Sequence, residues 1–150
     1  MKLSAQVTGG RELGARLIGL GRAMSRPGPQ QPLEEAVLAG GRIVAGRAQE
    51  LAPRSVGAPS VGNVHAADTI MPRITASRNG YAEAHIGPGR RHFYLMFWEI
   101  GFEGRDGMVR KQPHLQPALE EKSRAAANEM GRVWRQALND YVRRASGRTA

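Results

Sequence analysis

The sequence predicts an α+β domain, with a small antiparallel sheet packed against two N-terminal helices and a long C-terminal helix. Three observations carry this. Two stretches of period-two alternation flank the pair Asn79-Gly80. Two apolar stripes of helical spacing precede them. A third helical run opens at Pro117, with Glu120 and Glu121 close behind. At 150 residues the chain suits a single domain with an ordinary core. It contains no internal repeat.

Leu3, Ala5 and Val7 alternate with Ser4, Gln6 and Thr8, the period of a half-buried strand, stopped by Gly9-Gly10. Leu13, Leu17, Leu20 and Met24 then mark one face of a helix over residues 10–24. Four glycines between 10 and 21 weaken that helix, so packing must hold it. The three prolines of residues 26–32 break the chain. Pro32 suits a first helical turn, and Glu34 and Glu35 suit the positive end of the helix dipole. Leu33, Val37, Gly40, Val44, Ala48 and Leu51 form the stripe of this second helix, which ends at Ala52-Pro53. Gly40-Gly41 in its middle let another backbone come close. Residues 53–66 are rich in Pro, Gly and Ser and read as a flexible surface loop, long enough to suggest a role in function or binding.

Residues 69–77 alternate, with Ile70, Pro72, Ile74 and Ala76 on one side and Met71, Arg73 and Thr75 on the other. Pro72 argues for an edge position or a bulge. Asn79-Gly80 is a tight hairpin turn. The return strand, 81–87, points Ala82, Ala84 and Ile86 inward and Glu83 and His85 outward. With 3–8 as an optional third strand, these form the sheet. After Gly87-Pro88-Gly89 comes HFYLMFWEIG, residues 92–101, read as a short helix with strand as the alternative. As a helix it places Phe93, Phe97 and Ile100 on one face, and Tyr94 with Trp98 on another. Residues 102–112 read as an exposed, flexible flap. The last helix, 117–144, lines up Leu119, Ala126, Met130, Val133, Ala137 and Tyr141, widened by Trp134 and Leu138. Arg143 and Arg144 suit its negative end, and 146–150 read as a frayed tail.

Five of the eight aromatic residues lie between 93 and 102, enough to bury a large apolar area in a short span. Two readings compete. In one, Phe93, Leu95 and Phe97 are the centre of the core. In the other, part of the cluster docks on a neighbouring subunit, with Trp98 and Phe102 suited to it because such residues are enriched at interfaces. The interface candidates are Phe93, Tyr94, Phe97, Trp98, Glu99, Phe102, Arg105, Val61 and Leu115. Glu99 is a carboxylate amid aromatics, costly to bury unless it is bonded. An arginine or free backbone N–H groups are its expected partners.

The chemistry the chain can carry is limited. With no cysteine it has no disulfide, thiol nucleophile or cysteine metal site. Its four histidines, at 65, 85, 92 and 114, show no metal-ligand spacing. His85 reads as solvated and His114, between two prolines, as a turn residue. There is no G-x-S-x-G and no P-loop. A hydrolase would have to use Glu99 with His92 or His114, and no spacing selects such a pair. No catalysis, cofactor, metal or small-molecule substrate is expected. No apolar run reaches the length of a membrane helix, and the first ten residues lack an apolar signal-peptide block, so a soluble protein made in the cytoplasm is expected. The formal charge of +9 is spread along the chain: eight basic against four acidic residues in 1–60, seven against five in 61–111, and seven against four in 112–150. A diffuse excess attracts polyanions weakly and gives no dedicated DNA reader.

Four landmarks recur in order. Ala52-Pro53 is followed by a loop and Val56-Gly57 or Val61-Gly62. Asp68-Thr69-Ile70 opens a strand. Phe93-Tyr94 is followed by Trp98-Glu99-Ile100-Gly101. Gln112-Pro113-His114-Leu115-Gln116-Pro117-Ala118-Leu119-Glu120 leads into the last helix. Over roughly residues 5–142 this resembles the tail-component family of long-tailed bacteriophages, the neck or tail-completion proteins. That family shows an "AP…G-x-L…SI" segment, then "YA…EFGT", then "PFLRPALE", after a "G…EL" start similar to Gly10-Arg11-Glu12-Leu13 here. This chain departs where Asp68-Thr69-Ile70 replaces "SI", where Phe102 replaces Thr after Gly101, where Gln116 replaces the usual Arg, and in the extra Arg and His of 88–92.

The resemblance implies a virion protein of the neck or tail, made in the host cytoplasm and forming a ring at the head–tail junction. Its implied partners are copies of itself, portal-side head-closure proteins, and tail terminator or tube proteins, with passing DNA touched only weakly. Two alternatives are a tail terminator ring protein and a basic nucleic-acid-binding protein.

Overall fold

The computed structural model describes residues 32–54, 64–78 and 81–146. The predicted strand 3–8, the predicted helix 10–24, Val61 with most of its loop, and the Asn79-Gly80 turn lie outside the described residues. The described chain runs α1 (Pro32–Leu51), a 3-10 turn (Ala66–Thr69), β1 (Met71–Arg78), β2 (Tyr81–Gly87), a second 3-10 turn (Arg90–His92), α2 (Leu95–Ile100), β3 (Phe102–Glu103), β4 (Val109–Arg110) and α3 (Leu115–Ser146). This is an α+β fold. β1 and β2 form one antiparallel pair, and β3 and β4 a second.

β1 pairs with β2 from Met71 opposite Gly87 through Ile74 opposite Ala84, then slips one residue before Ala76 meets Glu83. The bulge therefore falls at Thr75 and not at Pro72. Pro72 sits opposite Ile86 in the two-stranded sheet, an edge position where a missing N–H costs little. The segment 102–112 is not a plain loop. It folds back as the β3–β4 hairpin, turned by Gly107 at φ +75°.

α1 is the middle layer. It packs on both strands of the sheet and, most extensively, along α3. The two helices run antiparallel: Gly40 faces Ala126 and Met130, Arg47 bonds Glu121, and Leu51 accepts from Gln112. The long helix thus lies chiefly on α1, and only its first turns stand near β2. Neighbouring glycines open both sides of α1. A Cβ on Gly40 would lie 2.9 Å from the Ala126 carbonyl oxygen, and one on Gly41 would lie 2.7 Å from Cβ of Pro72.

Such close approach leaves room for small side chains only. The core consists of Ala36, Ala45, Ala48, Ala52, Ala66, Ala67, Ala118 and Ala126, with Val44, Ile70 and Leu95 as its larger members. Of the three residues expected at its centre, only Leu95 is there, 2% exposed, whereas Phe93 is 62% and Phe97 46% exposed. Phe93 and Phe97 lie away from Leu95, while Trp98 is the ring that packs against the core. Leu119, expected on the buried stripe of α3, is 54% exposed, and its neighbour Ala118 is the fully buried residue of that turn.

Two glycines of α1 give a matched test. Gly40→Ala will destabilise the fold by about 1–2 kcal/mol, because the clash with a backbone oxygen outweighs the gain in helix propensity. Gly46→Ala, with nothing within 4 Å of its added methyl, will stabilise it by about 1 kcal/mol. Urea unfolding of the two variants measures both signs.

Candidate aromatic docking site

The site is built on α2. Six helical residues, LMFWEI, put Leu95, Trp98 and Glu99 on one side and Met96, Phe97 and Ile100, with Phe93 before them, on the other. Gly101, at φ +95°, ends the helix and donates to the Phe97 carbonyl at 2.8 Å. Only glycine takes that conformation cheaply, and it turns the chain straight into β3.

The inward side of α2 is anchored by Glu99, whose side chain is 13% exposed. Its Oε2 accepts from the backbone N–H of His114 at 2.7 Å and of Leu115 at 2.9 Å, and its Oε1 accepts from Gln116 N–H at 2.9 Å. These are first-turn donors of α3, which no carbonyl of the helix can reach. The carboxylate caps α3 from another element, where the helix dipole favours negative charge. His114 is fully buried, with Nδ1 3.1 Å from Glu99 Oε2 and 3.2 Å from the Gln112 carbonyl. Burial pushes the Glu99 carboxyl up, but the three backbone donors and His114 pull it further down, so it sits below its ordinary range. Gln112 completes the clamp, with its N–H on the Trp98 carbonyl at 2.8 Å and its side chain on the Leu51 carbonyl at 3.2 Å.

Glu99 therefore has the free backbone N–H groups that its sequence setting called for. His114 is a buried neighbour of the cap, where a turn residue was expected. His92 is also buried, on the far side of the 3-10 turn. Glu99 and His114 do meet, but the carboxylate oxygens are already engaged by backbone donors. His85 is solvated as expected and lies 2.8 Å from Glu83. Among the described residues no group of three His, Asp or Glu could hold a metal ion, and no helix is long and apolar enough to cross a membrane.

The outward side of α2 is apolar and exposed. Phe93, Tyr94, Met96, Phe97 and Ile100 all show large surface there. Phe93 meets Phe97 edge to face at 6.1 Å between centroids, and Tyr94 at 6.5 Å. The stripe is thus a shaped ridge of mutually supporting rings. Exposed apolar patches of this kind mark contact sites. The other candidates fall elsewhere. Trp98 is half-buried against the core and stacks edge to face on Phe102 at 5.0 Å. Arg105 lies exposed at the hairpin turn, and Leu115 is half-buried at the start of α3. Met96 was missed by the sequence reading, although its helical spacing from Phe93 and Ile100 was the signal for it.

A second feature adjoins the cap. Val44, Ala84, Ile86, Leu115 and Leu119, with the polar His85, Glu99 and Gln116, line an open groove of about 550 Å³ between α1, β2 and the first turns of α3. Comparison with protein-family models, with curated proteins and with solved structures gave no match.

Proposed function

We propose that this chain is a structural protein of a long-tailed bacteriophage particle, forming a ring at the head–tail junction as a neck or tail-completion subunit and catalysing no reaction. The observation that carries this reading is the inversion of the aromatic cluster. Phe93, Phe97 and Ile100 stand outside a core made mostly of alanine. A lone soluble domain gains nothing from that arrangement, whereas a subunit that buries its ridge on assembly does. The ordered motifs of residues 52–53, 68–70, 93–101 and 112–120 support the same reading by their resemblance to the tail-component family.

The charge distribution fits a wall that DNA passes without gripping. Arg47, Arg54, Arg110 and Arg132 are each held by a carboxylate, between 2.6 and 2.8 Å. Those four cations offer little to phosphates, and the exposed Arg90 and Arg91 leave room for weak contact with passing DNA.

Fractionation of purified particles tests the proposal. The protein is expected in the neck or tail fraction in a fixed ratio to the tube protein. Its confinement to the infected-cell lysate, with none in tails, would overturn the reading.

A further inference from the structure

We infer that neighbouring copies dock head to tail, the aromatic ridge of one protomer entering the apolar groove beside α3 of the next. This rests on the ring reading above and supplies its contact.

Ridge and groove are complementary and lie on opposite sides of one short helix. Phe93, Phe97 and Ile100 project from the outer side of α2, while Glu99, on its inner side, is among the residues that line the groove. The groove is open because Leu119 is exposed and Ile86 only half-buried. A subunit carrying the two halves of a contact on opposite sides repeats head to tail, and such a contact closes into a ring when its rotation allows.

Charge selects this arrangement over ridge against ridge. Arg90 and Arg91 flank the ridge, exposed, and among the described residues neither makes an ion pair. Two carboxylates adjoin the groove, each bonded to a residue that lines it, Gln116 or His85. Glu120 stands one turn beyond Gln116 and accepts from its side chain at 2.9 Å, and Glu83 is held against His85 on the β2 side. Head-to-tail docking sets the arginines of one copy beside the carboxylates of the next. A two-fold contact between ridges would instead bring four arginines together, which electrostatics penalises.

The chain contains no cysteine, so introduced thiols are the only ones present. Met96→Cys, at the edge of the ridge, and Gln116→Cys, at the edge of the groove, are prepared separately, mixed and treated with a short bismaleimide. The mixed 96–116 product is expected in roughly tenfold or greater excess over either self-linked product. Adding Phe97→Asp or Leu119→Asp should abolish it with the circular dichroism unchanged, since both side chains are exposed.

A dominant 96–96 product would overturn the proposal, as would a mixed yield no higher than that of Met96→Cys with Ala127→Cys. A groove thiol that links only to a different particle protein would assign the groove to that protein and overturn it too. Failure here while the protein still fractionates with necks would leave the ring reading standing. A mixed product from a protein absent from particles would support the contact and remove the ring's location.

Discussion

Glu99→Ala will destabilise the fold by about 3 kcal/mol, the largest effect expected of any single polar side chain described here. The size follows from what is lost. Three backbone N–H groups at the start of α3 lose an ionised acceptor, and hydrogen bonds to charged groups contribute about 1.5–3 kcal/mol each before water replaces part of them. A lost helix cap alone costs about 0.5–2 kcal/mol. His114 is left buried beside the gap. Glu99→Gln keeps the shape and one acceptor oxygen, but turns an NH₂ toward backbone donors, so about half the loss is expected. Urea unfolding of the two variants gives both values. A loss below about 0.5 kcal/mol for the alanine variant, the range of ordinary surface changes, would mean that the cap is dispensable.

The same carboxylate gives a pH signature. Its folded-state pKa is depressed, so the stability it contributes is fully present above its ordinary value near 4.5 and is lost as pH falls through the lower folded value. Wild type should therefore lose its advantage over Glu99→Gln on acidification below that ordinary value. Glu83, Asp106, Glu121 and Glu129 are also held low by their partners, Tyr81, the Met108 N–H, Lys122 and Arg132 respectively. They shift both proteins alike, and the difference between the two isolates Glu99. A gap that stayed constant down to strong acid would contradict the assignment.

Phe93→Asp combined with Phe97→Asp will leave the isolated protein as stable as wild type, within about 0.5 kcal/mol, and will abolish its incorporation into particles. Both rings are exposed, so a carboxylate there costs the monomer little. On the docked ridge each would be a buried, unpaired charge, and two such charges exceed what a single subunit contact can absorb. Fractionation measures incorporation and thermal melting measures the fold. A double variant that unfolds would return the rings to a core role. One that folds and still enters particles would detach them from assembly.

Much of the frame was legible because it depends on local chemistry. Pro32 with Glu34 and Glu35 opened α1 where the structure does, and the alternation on each side of Asn79-Gly80 gave both strands. Pro117 lies within the first turn of α3. The need of Glu99 for backbone donors could be read from its neighbours, but not where those donors are, 15 to 17 residues further on. Helical spacing showed which aromatics share a face. It could not show which face looks inward. Leu95 and Trp98 look inward, on the side of α2 that Glu99 ties to residues 114–116. Leu119 ceded the buried position to Ala118, since spacing along α3 does not show which of two adjacent residues meets the core.

Hydroxyl-radical footprinting of assembled particles against the isolated protein tests the central claim most directly. Tyr94, Met96 and Phe97 should oxidise readily in the free chain and become strongly protected in the particle, while Met71, exposed on β1, serves as an internal reference. Equal oxidation of the ridge in both states would show that nothing grips it, and the ring reading would lose the observation it rests on.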